Sequence, residues 1–222
     1  GGVDVVQLRD KGLEESRLIE IAAIFRRLAT QFGVPFILND RPDLVAACGA
    51  DGVHVGQDDA AVESARELAG KHAIVGLSTH APDRLRAACA AKGPARPDYL
   101  SVGPVWATPT KPGRPASGLG YVRHAAQHAS LPWFAIGGIN SANIGEVLAA
   151  GAKRIVVVRA LRDADDPSSA ARKLHAALGR GPRAGRQPGG PTVELGVPRS
   201  TPAAGAGAAR HADDGLRGSV AG

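Results

Sequence analysis

Methionine is missing from all 222 residues of the chain, and aromatic residues make up only 4% of it. The first absence means that the sequence does not begin at an initiator, so a truncated start is expected. The second weighs against nucleic-acid recognition, in which aromatic platforms alternate with basic side chains. No apolar run approaches the roughly 20 residues that cross a bilayer, and the opening GGVDVVQLRD has no basic stretch leading into an apolar signal segment. No membrane role and a cytoplasmic location follow as expectations. The two cysteines, Cys48 and Cys89, sit in LVAACGA and LRAACAA without a partner at metal-ligand spacing, and both read as small core residues.

What is present is a globular composition, 44% hydrophobic and 22% charged, enough for a full core. The net charge of +6 divides evenly: six Arg and three acids from Arg180 onward leave +3 in each part. The bases form no stripe, so no nucleic-acid partner is expected. Residues 1–179 repeat one theme, a β-branched run, a polar or Gly-rich turn, and a helical pattern. The strand runs are 3–8, 34–38, 52–56, 73–78, 98–103, 131–136 and 154–159. Helical periods lie near 14–32, 42–49, 60–70, 82–92, 119–129, 141–150 and 168–178. This alternation predicts parallel βαβ units. With no early G-x-G-x-x-G turn, a TIM (β/α)8 barrel one unit short fits better than a dinucleotide-binding sheet. Residues 180–222 are dense in Gly, Pro and Arg without a period, and are read as a separate disordered tail.

In such barrels chemistry gathers at the C-terminal ends of the strands. There the chain places QLRDK (Gln7, Arg9, Asp10, Lys11), ND (Asn39, Asp40), QDD (Gln57, Asp58, Asp59) and STH (Ser78, Thr79, His80). After the fifth strand comes a long loop with Thr108, Thr110, Lys111 and Arg114, then GGIN and VVVRAL after the last two. Each cluster has a structural alternative. Arg9 and Asp10 could form a surface ion pair. Asp40, and Asp58 or Asp59, could cap the helices that follow. Bases and acids converging on one rim suit a magnesium-bound polyphosphate, because Mg²⁺ takes one or two carboxylates plus phosphate oxygens while Lys and Arg neutralise the rest. Gly137 and Gly138 would let backbone amides approach a second phosphate.

QLRDK, ILNDR, GADGVHVGQDD, GLSTH, VGPVWATPTK, AIGGIN and VLAAGA, in this order from about Val3 to Leu178, resemble the thiamine phosphate synthase family. The resemblance implies a TIM barrel that joins hydroxymethylpyrimidine diphosphate to a thiazole phosphate carboxylate, releasing pyrophosphate and carbon dioxide, with Mg²⁺ as cofactor. Carried over, Gln7, Leu8, Arg9, Asp10, Lys11, Asn39, Ser78 and Lys111 would contact the pyrimidine diphosphate, with Lys111, Arg9 and Ser78 as catalytic residues. Magnesium would lie between Asp40 and Asp59. The thiazole phosphate would lie near Thr108, Thr110, Gly138 and the Val158–Arg159 peptide. His54 and His80 are left outside, as hydrogen-bonded core residues.

Two departures stand out. The family has a strand and helix before VQLRDK that this sequence lacks, and Arg159 stands where the family usually has serine. Two alternatives to the synthase follow, a thiazole tautomerase on the same barrel and a non-catalytic binder of phosphate ligands. Small-molecule partners are expected, with a homo-oligomer as a further expectation.

Overall fold

The computed structural model describes residues 1–57, 59–108 and 115–179. Seven strands alternate with helices: β1 (Val6–Leu8), α1 (Glu15–Phe32), β2 (Phe36–Asn39), β3 (Gly52–Val55), α2 (Val62–Ala69), β4 (Ile74–Thr79), α3 (Pro82–Ala90), β5 (Tyr99–Val102), α4 (Gly118–His128), β6 (Trp133–Ile136), α5 (Ile144–Ala149), β7 (Ile155–Val156), α6 (Arg159–Arg162) and α7 (Pro167–Ala177). All pair in parallel in chain order, the α/β architecture of a TIM-type barrel. Among the described residues, β1 and β7 each have one neighbour. The tail expected over 180–222 lies outside the described residues.

Register explains why the strands read as they do. Residues facing the helices, such as Leu8, Phe36, Leu38, Val53, Val55, Val75, Leu100, Val102 and Ala135, are apolar and buried. Those between them form inner rows: Asn39 beside His54, His54 beside Gly76, Gly76 beside Tyr99, and Ser78 beside Ser101 beside Phe134. The period of two thus separates an apolar outer layer from a polar inner one.

Two expected elements differ. The helix expected over 42–49 is a single 3-10 turn, Pro42–Leu44, followed by turns. Its chain must reach Asp51 within a few residues, because that carboxylate accepts the Phe36 N–H at 2.7 Å at the start of β2. The strand expected over 154–159 stops at Val156, and Arg159 opens the short α6 instead. The β-branched run continues, but only Ile155 and Val156 have partners on β6.

At the N-terminal ends of the strands one device occurs twice. Arg26 on α1 donates to Asp51 at 2.9 Å, and Asp51 holds the first N–H of β2. Arg66 on α2 donates to Asp98 at 3.1 Å, and Asp98 accepts Val75 N–H of β4 at 2.8 Å. Each clasp ties a helix, the strand after it and the turn before the next strand.

Candidate active site

The first polar cluster begins where β1 and β2 end. Lys11 Nζ lies 2.5 Å from Asp40 Oδ2 and 3.7 Å from Asp59 Oδ1, so one cation already bridges the two carboxylates. Asp40 is held by its backbone, whose N–H donates to His54 O at 2.9 Å. Its φ of 63° is the left-handed conformation, and Asp40 is the one non-glycine residue with positive φ among the described residues. Asp59 is fixed by accepting Gly56 N–H on Oδ2 at 2.7 Å, across a gap that any side chain at Gly56 would close.

The electrostatics follow from this packing. Burial pushes the Asp40 carboxyl above the ordinary carboxylate range. The Lys11 bond opposes the shift, and Asp59, within hydrogen-bonding reach, adds to it. The Lys11 ammonium is held charged chiefly by its bond to Asp40. The N-cap residues of the 3-10 turn and α2, Arg41 and Ala61, make no side-chain cap hydrogen bond. Asp10 accepts the Gly12 N–H at 2.9 Å rather than pairing with Arg9. Arg9 Nε is buried without a hydrogen-bond partner among the described residues. An unpartnered guanidinium nitrogen beside Lys11 suits an incoming phosphate oxygen.

Two facing carboxylates already sharing a cation fit a divalent metal as a donor set, with open positions left for phosphate oxygens and water. Among the described residues no group of three acidic, His or Cys side chains gathers at one point. Two carboxylates alone would have to hold any metal there, the remaining positions going to phosphate oxygens and water.

The other expected residues are placed as follows. Gln7 lies on β1, with its side chain near the Tyr99 hydroxyl. Leu8 is buried in the helix-facing cluster around Leu18 and Phe36, so only its backbone can face a ligand. Asn39 ends β2 beside His54. Ser78 is 2% exposed, with its Oγ bonded to His54 Nε2 at 2.9 Å and to Ser101 Oγ at 3.3 Å. Asp58, Thr110, Lys111 and Arg114 lie outside the described residues.

On the other flank, Gly137 and Gly138 both have positive φ, 105° and 70°. A Cβ at Gly137 would stand 2.5 Å from Pro104 Cα, and one at Gly138 would stand 2.9 Å from Trp106 Cβ. What presses on these glycines is the segment Pro104–Ala107. Val158, 42% exposed, and Arg159 follow the end of β7 at Val156. His80 Nδ1 is bonded to Gly103 O, and Ser117 Oγ donates to His80 O at 3.1 Å, so His80 fastens both ends of the loop after β5.

Sequence reasoning missed Tyr99 and Ser101, and set His54 aside as core. All three are polar residues at alternate positions of apolar strands, in GVHVG and DYLSVG, and that alternation is the signal that places them on the inner face.

A sequence model of the thiamine monophosphate synthase family matches residues 1–161. Thiamine-phosphate synthase of Thermus thermophilus is 56% identical over 180 residues, covering 80% of this chain and 84% of that protein. The Arthrobacter sp. protein of the same name is 49% identical over 201 residues, covering 82% and 85%. In structure, a thiamine phosphate pyrophosphorylase from Pyrococcus furiosus aligns with TM-score 0.73 at 31% identity, over 81% of this chain and 84% of that one. A 3-hexulose-6-phosphate synthase, TM-score 0.59 at 22% identity, shares the fold.

Proposed function

The chain belongs to the thiamine monophosphate synthase family, and from that premise we propose that it joins hydroxymethylpyrimidine diphosphate to a thiazole phosphate carboxylate. The observation that carries the reading is the Lys11–Asp40–Asp59 cluster, with Arg9 beside it, at the C-terminal ends of β1, β2 and β3. In the reaction the bond between the pyrimidine methylene and the diphosphate oxygen breaks, and pyrophosphate leaves with the bonding pair. The thiazole nitrogen supplies the pair for the new carbon–nitrogen bond, and the ring carboxylate departs as carbon dioxide, leaving its bonding pair on the ring, which takes up a proton from solvent.

The protein has little covalent work to do, so its contribution is charge and alignment. Arg9, Lys11 and Lys111 neutralise the departing diphosphate, and Ser78 and Asn39 orient it. Asp40 and Asp59 would hold Mg²⁺, which supplies Lewis-acid neutralisation of the same oxygens. Thr108, Thr110, Gly138 and the Val158–Arg159 peptide hold the thiazole phosphate, setting the distance between the reacting atoms. Arg159 replaces a neutral side chain there with a cation able to pair with phosphate. A diphosphate site favours the synthase over a thiazole tautomerase, which would have no use for it. The substrates are small molecules and the setting is cytoplasmic. Among the described residues no helix is long and apolar enough to span a membrane.

Thiamine phosphate formation, read as thiochrome fluorescence from both substrates, tests the reading. Magnesium-dependent product is expected from the wild type, with a loss of about a hundredfold or more in Asp59→Asn. Full activity in that variant would remove the metal assignment.

A further inference from the structure

The inner face of the sheet carries a chain of hydrogen bonds that neutralising a diphosphate does not require. It runs from the Tyr99 hydroxyl on β5 to His54 Nδ1 on β3 at 3.0 Å, and from His54 Nε2 to Ser78 Oγ on β4 at 2.9 Å. The chain is built into the core. His54 is 6% exposed, and the Tyr99 ring packs edge-on against Phe134 with centroids 5.5 Å apart. Gly76 makes room for it: a Cβ there would stand 2.2 Å from Tyr99 Cζ and 2.5 Å from His54 Nδ1.

A neutral imidazole has one N–H and one acceptor nitrogen, so a partner that donates to one nitrogen decides what the other can do. Tyr99 is buried, which holds its phenol protonated. The protonated Tyr99 O–H can donate to His54 Nδ1, 3.0 Å away. When it does so, His54 carries its hydrogen on Nε2 and donates to Ser78 Oγ at 2.9 Å, with Ser101 Oγ 3.5 Å from the same nitrogen. Ser101 Oγ also donates to Ser78 Oγ, at 3.3 Å. Both lone pairs of the Ser78 oxygen are thus occupied, and the hydroxyl has only its proton to offer.

We propose that Tyr99 and His54 are positioning residues that fix Ser78 as a hydrogen-bond donor to the pyrimidine diphosphate. The identity of that acceptor rests on the function proposed above, whereas the His54 tautomer does not.

Two measurements separate these layers. Imidazole ¹⁵N spectra of the wild type should show His54 with hydrogen on Nε2, and Tyr99→Phe, which keeps the ring and removes the donor, should shift the hydrogen towards Nδ1. In steady-state kinetics Tyr99→Phe should lower kcat about tenfold or more while leaving KM for the thiazole phosphate within about twofold. His54→Gln, whose amide can still donate to Ser78, should keep more activity than His54→Leu at equal thermal stability. Hydrogen on Nδ1 in the wild type, or an unchanged kcat in Tyr99→Phe, would overturn the proposal. Hydrogen on Nε2 in a wild type that forms no thiamine phosphate would support the hydrogen-bond chain and overturn the substrate reading instead.

Discussion

At the scale of single residues, Asp40 is held against two preferences. Its backbone is left-handed at φ 63°, and its carboxyl is buried beside a second acid. A side chain in that conformation costs roughly 1 kcal/mol or more, which glycine avoids. Asp40→Gly should therefore be more stable than Asp40→Ala by about 1 kcal/mol in denaturant unfolding, with both inactive. Equal stabilities would show that the backbone relaxes in the variants. The buried charge gives a separate signature. A native carboxyl held above its ordinary value of 3.8 binds more proton than the unfolded chain between that value and the raised one. Stability falls as pH rises through this window, and the deficit persists above it. Asp40→Asn should accordingly be more stable than wild type near pH 7, and the difference should close at about pH 4 and below. A gain independent of pH would point to something other than the carboxylate charge. Asp40 and Asp59 could be singled out from sequence because they converge with Lys and Arg at strand ends and lie in the ILNDR and GQDD motifs, although each taken singly could have capped a helix. Tyr99 could not, since its task depends on which side chains meet across three strands.

At the scale of elements, the two Arg–Asp clasps fasten the start of β2 and the start of β4. Each carboxylate satisfies a strand N–H with no ladder partner at that end, and each guanidinium also donates to backbone carbonyls, Gly49 O for Arg26 and Ala73 O and Arg96 O for Arg66. Removing Asp98 leaves both groups short of an acceptor. Asp98→Ala should lower stability by about 1–3 kcal/mol in denaturant unfolding while leaving KM unchanged, because the clasp lies at the opposite ends of the strands from the site. An altered KM would mean that β4 shifts as a whole and carries Ser78 with it. Such clasps are not legible in sequence: Arg66 and Asp98 are thirty-two positions apart, and nothing local marks them as partners. The helices were legible wherever an apolar face recurs over several turns, as in α1 and α4. The 42–49 segment failed because a tertiary demand, delivering Asp51 to β2, overrides a helical composition.

At the scale of the whole molecule, the period-two pattern of the strands carries both halves of the design. Apolar residues on one face bury against helices, and polar residues on the other converge from β1, β2, β3, β4 and β5 on one interior. Topology was readable because seven strands alternate with helical segments and parallel pairing allows few arrangements. The convergence was only partly readable, because register decides which alternate residues meet. If Lys11, Arg9, Asp40 and Asp59 form one site, its ligands should act on the stability of the entire domain, since they bind only where three chain segments are assembled. A ligand at a hundredfold excess over its dissociation constant adds about 2.7 kcal/mol. For a domain of this size that corresponds to a Tm increase of roughly 5–10 °C. Magnesium with inorganic pyrophosphate should produce a shift of this size in a thermal melt, with either alone giving clearly less. Asp59→Asn should abolish the magnesium-dependent part, and Arg9→Ala should reduce the part due to pyrophosphate alone. A full shift with pyrophosphate in the absence of magnesium would mean that Lys11 and Arg9 suffice to hold it, leaving the facing carboxylates to hold Lys11 rather than a metal.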